Sequence, residues 1–310
     1  MKEGGSVIWP KKLAAGSTVG LVATSSPITE YEKECSIRSL ENMGYRVKAA
    51  SNLTDNCFGY AAGSCKDRGK WINRMFADPE VDGIFCVRGG YGASRILEYV
   101  DLENVRKNPK IFVGFSDVTA LHLLFNQNCR LVTFHGPMVS TNMMYDFDSE
   151  SADSFARAVQ DQLFEFKNPK GFEIGVIKKG CAAGRVTGGN LSVLCGSMGT
   201  PYEMDSRDKI LFIEEVNEPM GRIERMLCQL DYCNKFKECK GVMLGQFEGC
   251  GNRADETYEV IRLFEDLLSD YDIPVMFNIQ SGHGKPMLTI PLGALCTVDT
   301  ESKRILFSSS

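Results

Sequence analysis

Ser116 stands where a short apolar stretch, Ile111-Phe-Val-Gly-Phe, is predicted to end as a strand and turn through Gly114, Phe115, Ser116 and Asp117 into an amphipathic helix. A serine at such an elbow has its hydroxyl held away from the sheet, and the free N–H groups of the new helix point at whatever the hydroxyl attacks. That chemistry is a nucleophile beside an oxyanion hole. The competing reading is a helix cap, a role Ser and Asp fill for about 1 kcal/mol. Val118 replaces the second glycine of the G-x-S-x-G elbow, which argues against an ordinary α/β-hydrolase.

A second loaded loop, Arg88-Gly89-Gly90-Tyr91-Gly92, also falls between a strand and a helix. It does not carry the dinucleotide fingerprint, because Arg95 occupies the place of the third glycine and no G-K-[ST] follows. Two readings remain: a tight structural turn, or backbone N–H groups brought close to a reacting oxygen because glycine has no Cβ.

A serine nucleophile needs a base, and the chain has three histidines. His122 shares a helix face with Val118, Leu121 and Phe125 and is expected in the core. His135 ends a strand in Thr-Phe-His-Gly-Pro and is expected to line the pocket, without a cue for an orienting acid. His283, in Gln-Ser-Gly-His-Gly-Lys-Pro, is the best base, because its glycine-bracketed loop could reach the serine. The orienting carboxylate is sought at Glu214 and Glu215, which end the hydrophobic strand Lys-Ile-Leu-Phe-Ile. Alternation predicts that one points inward and the other outward. The competing reading is a pair of solvated acids before a turn.

The elements that must position these groups form two patterns. Residues 1–136 alternate: strand 19–23, helix 30–43, strand 45–50, helix 65–77, strand 82–87, helix 93–99, strand 110–114, helix 117–127 and strand 131–134. This predicts an α/β fold, a flavodoxin-like parallel sheet with helices on both faces, binding ligands beyond the carboxyl ends of its strands. Residues 137–171 are expected to form a linker with a polar helix near 151–163. Residues 172–310 are expected to form a mixed α/β domain with a partly closed sheet. Its strands lie near 172–178, 183–187, 209–215, 241–247, 274–279, 287–290, 294–299 and 303–307, with helices near 190–198, 219–234 and 256–270.

Composition narrows the function classes. With 310 residues, two domains are expected. The 35 basic and 40 acidic residues give a net charge of −5 without long basic runs, so neither nucleic acid nor an anionic membrane is an expected partner. Twelve cysteines occur without a C-x-x-C pair, so no zinc or thioredoxin-type site is expected. Those in apolar runs, such as Cys86 and Cys195, read as small hydrophobes. No secretory signal or bilayer-length apolar run is evident, and a cytoplasmic location with reduced thiols is expected.

Taken together, the chain resembles the LD-carboxypeptidase family, serine peptidases that include the microcin C immunity peptidases. The matching segments are Asp78-Pro-Glu-Val-Asp-Gly-Ile-Phe-Cys-Val-Arg-Gly-Gly-Tyr-Gly, Gly114-Phe-Ser-Asp-Val-Thr-Ala-Leu-His, Thr133-Phe-His-Gly-Pro, Gly188-Gly-Asn-Leu-Ser, Leu211-Phe-Ile-Glu-Glu and Gly282-His. The resemblance implies a catalytic triad of Ser116, Glu214 and His283, and an oxyanion hole from the backbone of Gly89, Gly90 and Asp117. It also implies a site at the junction of the domains, commonly in a homodimer, with no metal or organic cofactor. Substrate-binding positions are expected at Arg88, Tyr91, His135 and Asn190, with Arg88 as a carboxylate clamp or, alternatively, a structural ion pair. The implied reaction removes D-alanine from the L,D bond of a murein tetrapeptide during cell-wall recycling. The immunity branch instead cleaves a peptidyl or aminoacyl nucleotide and would need an aromatic platform, for which Tyr145, Phe147 and Tyr202 are candidates. A non-catalytic small-ligand binding protein is the remaining alternative.

Overall fold

The structure is a computed structural model that describes residues 6–145, 147–251 and 257–309. It divides into two compact units: one holds the chain to Gln162 together with Thr289–Gly293, the other Leu163–Leu288 and Ala294–Ser309.

The first unit runs β1 (Thr18–Val22), α1 (Glu30–Asn42), β2 (Arg46–Ala49), α2 (Cys65–Ala77), β3 (Gly83–Cys86), α3 (Leu102–Lys107), β4 (Ile111–Gly114), α4 (Thr119–Cys129), β5 (Thr133–His135) and α5 (Ser149–Gln160). Local chemistry starts the helices: Thr29 and Glu32 form a reciprocal capping box on α1, and Ser64, Asp101 and Asp148 cap α2, α3 and α5. The strands pair in parallel, as expected from the alternation, and their order is β2-β1-β3-β4-β5. Ile84 pairs with Phe112, whose ring packs on Phe125 of α4, which in turn meets Phe76 of α2. Phe85, the next residue, points to the other face and meets Phe155 of α5. Helices therefore cover both faces, which is why β3 and β4 are buried along their whole length.

The segment expected as one helix over 93–99 is instead two 3-10 turns, Ala93–Arg95 and Leu97–Tyr99, and α3 follows where no element was expected.

The second unit contains β6 (Phe164–Phe166), β7 (Gly175–Lys178), β8 (Cys181–Asn190), α6 (Leu191–Gly196), β9 (Lys209–Val216), α7 (Met220–Tyr232), α8 (Lys235–Glu238), β10 (Gly241–Glu248), α9 (Thr257–Leu267) and β11 (Val275–Phe277). Glu256, the first residue of the expected helix over 256–270, lies outside the described residues. The expected strand at 287–290 is displaced: β12 (Ile290–Leu292) pairs antiparallel with β5 and belongs to the first unit's sheet. It gives the buried β5 a neighbour, and the Asn126 amide secures it by donating to the Leu292 carbonyl at 3.1 Å. The chain returns as β13 (Leu295–Asp299) and β14 (Arg304–Ser308).

The second sheet has the order β6-β14-β13-β8-β9-β10-β11-β7, with β8 to β11 parallel and the flanking strands antiparallel. It is open, not partly closed as expected. Among the described residues no ladder joins its edges β6 and β7, and closure would need strands long enough to hold a consistent tilt and stagger. β6, within the expected linker, is instead the outer strand beside β14, with Phe164 stacked on Phe307.

Candidate active site

The carboxyl ends of the first unit's parallel strands collect Ser25 and Ser26 after β1, the glycine loop after β3, Ser116 after β4 and His135 at the end of β5. A doubly wound sheet of this order presents its binding crevice there, between β1 and β3. Ser116 is held at φ +61°, a left-handed conformation that a non-glycine residue adopts at a cost of about 1–3 kcal/mol. It opens a 3-10 turn, Ser116–Val118, that leads into α4. The elbow forms without the second glycine because Val118 packs back over Gly114, where a Cβ would lie only 2.8 Å from Val118 Cγ1.

Gly89 passes against the serine: a Cβ there would stand 3.0 Å from Ser116 Cβ and 3.1 Å from its Oγ. Gly90, at φ +112°, lies so close to Ser26 that a Cβ would be 2.1 Å from the Ser26 Oγ. The Ser26 N–H donates to the Gly89 carbonyl at 3.2 Å, and the Tyr91 N–H donates to Ser26 Oγ at 3.4 Å. The glycines thus bring the loop backbone beside the hydroxyl.

Two buried side chains fix this arrangement, and neither role was legible in the motifs. Asp117 accepts from Ser25 Oγ at 2.6 Å and from the Ala93 N–H at 2.8 Å, so the residue after the serine ties the elbow to β1 and to the glycine loop. Burial pushes its carboxyl above the usual range, while Ser25, Ala93 and Arg68 pull it back. Arg68 donates to the Thr24 carbonyl at 2.6 Å and to the Gly92 carbonyl at 2.9 Å. Its spacing to Ile72 and Met75, i, i+4 and i+7 on α2, is the signal that could have placed it inward.

His122 is the expected core histidine. Its Nε2 donates to the Gly114 carbonyl at 2.8 Å and its Nδ1 accepts from Thr133 Oγ1 at 2.8 Å. Burial lowers it to about 4, so it stays neutral and braces the elbow. His135 is fully buried, its ring edge-on to Phe115. Arg88 is half-buried, and its Nε has no hydrogen-bond partner among the described residues. Tyr91 is 73% exposed. Cys86 and Cys195 behave as hydrophobes, their thiols pushed up to about 12 by burial.

In the second unit, Glu214 lies near the carboxyl end of β9, fully buried, with its Oε2 2.7 Å from His283 Nδ1. Burial pushes the Glu214 carboxyl up, and His283 counteracts it. Burial alone would lower His283, but the charge of Glu214 and its hydrogen bond outweigh that, so the imidazole is held above its ordinary value. With the Nδ1 proton directed at the carboxylate, Nε2 is left to accept a proton.

Glu215 is buried as well, not solvated. It does point to the opposite face, but α6 covers that face. Glu215 accepts from Asn190 Nδ2 at 2.9 Å, the Ser192 N–H at 2.7 Å and Ser192 Oγ at 2.5 Å. Asn190 also caps α6 by accepting from the Val193 N–H. Glu214 is thus the acid with a histidine, and Glu215 the acid that anchors a helix. Among the described residues no three metal-ligating side chains cluster.

Comparison with known proteins gives the family. Residues 19–136 match the LD-carboxypeptidase N-terminal domain, and residues 183–298 match the LD-carboxypeptidase C-terminal domain. A probable murein peptide carboxypeptidase of Bacillus subtilis (strain 168) is 35% identical over 95% of this chain and 92% of its own length. The chain belongs to the LD-carboxypeptidase family. A murein tetrapeptide carboxypeptidase of Pseudomonas aeruginosa is 27% identical over 91% of this chain and 92% of its own length. Among solved structures, MccF in complex with glutamyl sulfamoyl guanosine superposes with a TM-score of 0.88 at 25% identity, covering 96% of this chain and 98% of that one. This chain therefore shares the fold of MccF over nearly its whole length.

Proposed function

We propose that this LD-carboxypeptidase family member is a serine carboxypeptidase that hydrolyses the L,D peptide bond of murein tetrapeptides, releasing D-alanine in cell-wall recycling. The observation that carries the reading is the left-handed Ser116 with the Gly89 backbone against its hydroxyl. The His283–Glu214 pair and the murein peptide relatives support it.

In this reading Ser116 attacks the scissile carbonyl while His283 Nε2 takes its proton. His283 then returns the proton to the departing amine of D-alanine, and water hydrolyses the acyl-enzyme. Glu214 fixes the imidazole tautomer and stabilises its cation. The N–H groups of the Gly89-Gly90 turn and of Asp117 stabilise the oxyanion, each worth about 3 kcal/mol. Arg88 is assigned to the substrate carboxylate, which its planar fork can bind bidentately, and exposed Tyr91 flanks it. His135 lines the site from behind Phe115, while Asn190, committed to Glu215 and to α6, supports the acid strand. The chemistry uses only water beyond the substrate. A cytoplasmic location and a homodimer complete the proposal. Among the described residues no helix is long and apolar enough to cross a membrane.

A second reading, cleavage of a peptidyl or aminoacyl nucleotide, is favoured by the nucleoside-like ligand of the MccF complex. Exposed Tyr145 offers it a ring, 65% accessible. Mass spectrometry of products decides between them when the protein is incubated with a murein tetrapeptide and, separately, with a peptidyl-adenylate mimic. Release of D-alanine from the tetrapeptide is expected. Cleavage of the adenylate mimic alone would move the protein to the second reading, and binding without cleavage of either would make it a binding protein.

A further inference from the structure

The pairing of β9 with β10 slips where it passes the acid. Leu244 faces Ile213 but Phe247 faces Glu215, so Gly245 and Gln246 together stand opposite Glu214. A bulge of this kind breaks the alternation of side chains and re-aims one of them. The re-aimed side chain here is that of Gln246, and it turns to the loop that carries His283.

Its contacts span both sides of the histidine. Gln246 Oε1 accepts from the Gly284 N–H at 2.9 Å, and Nε2 donates to the Pro286 carbonyl at 3.0 Å and to Gln280 Oε1 at 3.1 Å. The Gln246 backbone N–H donates to the Ser281 carbonyl at 2.9 Å. The loop lies flush on the bulge. A Cβ on Gly245 would stand 2.5 Å from the Ser281 carbonyl oxygen and 3.0 Å from Glu214 Cβ. One on Gly282 would stand 3.1 Å from both Gln246 Cβ and Glu214 Oε2.

We infer that Gln246 is a positioning residue for the proposed reaction: the bulge and its amide clamp residues 281–286 so that His283 Nδ1 meets Glu214. The inference rests on the reading of His283 as the base. A glutamine suits the task because it supplies donor and acceptor together without adding charge. Within this unit the charged groups around the loop are Glu214 against the ring, Glu215 beside it on β9, Glu248 near Gly284, and Lys285 in the loop itself. Glu214 dominates, and a loop released from the bulge loses that partner.

The test uses Gln246→Met, which deletes all three side-chain hydrogen bonds at similar volume, and Gln246→Asn, which keeps an amide too short to reach both flanks. His283 is followed by NMR titration, assigned with His283→Ala, and hydrolysis is assayed in parallel. Both variants should move the titration midpoint toward the ordinary imidazole value, by roughly half a unit or more. Both should lower kcat on the order of 10²-fold with KM unchanged. A wild-type midpoint in both variants would overturn the inference, as would a loss of kcat that leaves the midpoint in place. Gln246→Asn reads the same result if Gln246→Met does not fold. If the wild type hydrolyses nothing, the proposed function falls while the midpoint still decides what Gln246 does.

Discussion

Replacing Ser116 by alanine should lower kcat on the order of 10⁴-fold or more, with KM and thermal stability close to wild type. The change removes the hydroxyl but keeps a Cβ, so the strain at φ +61° and the packing of Val118 over Gly114 are retained. What remains is the catalysis that the backbone donors and substrate binding supply without a nucleophile. Steady-state kinetics on the tetrapeptide with a parallel melting curve checks this. Activity within tenfold of wild type would remove Ser116 from the reaction and leave the elbow as a capped helix start.

Glu214→Gln should be nearly as damaging, about 10⁴-fold in kcat, because an amide at that position no longer selects the tautomer with a free Nε2 or stabilises the imidazolium. Its pH profile carries a second, independent expectation. A general base must be unprotonated, so wild-type kcat/KM rises with pH through the His283 value, which Glu214 holds above the ordinary one. Removing the carboxylate leaves burial as the dominant influence, and burial lowers an imidazole. The residual activity of the variant should therefore have its acid limb at lower pH than wild type. A limb that stays in place or moves upward would mean that another group titrates. Glu215→Gln offers the contrast: its carboxylate is bound to Asn190 and Ser192, so that variant should lose stability at α6 before it changes the limb.

Much of this was readable from residues alone. The parallel pairing of the first sheet follows from its regular alternation of strand and helix, and the Ser116 elbow from a glycine, a serine and an aspartate at the end of a fully apolar strand. The choice between Glu214 and Glu215 was not readable from alternation, because both faces of β9 are covered and both acids are buried. The place of β12 is hidden for a related reason: Ile290-Pro-Leu sits in sequence among second-unit strands, and only the open edge of β5 explains why it joins the first sheet. The Gly245–Gln246 bulge showed only as a polar residue in the run Val-Met-Leu-Gly-Gln-Phe, and one inserted residue leaves no periodic signal. Arg68 and Ser25 carry no sequence signal for these roles, because their partners are backbone carbonyls and a side chain distant in sequence, which no local motif records.

The central claim is that Ser116 is a nucleophile activated by His283. It is tested most directly by treating the wild type, Ser116→Ala and His283→Ala with a fluorophosphonate that labels activated serines, followed by intact-mass measurement and peptide mapping. The account predicts a single phosphonyl adduct on the wild type, mapped to Ser116, absent from Ser116→Ala and slowed on the order of 10³-fold or more in His283→Ala. An adduct on another serine, or labelling of Ser116 at an undiminished rate without His283, would contradict it.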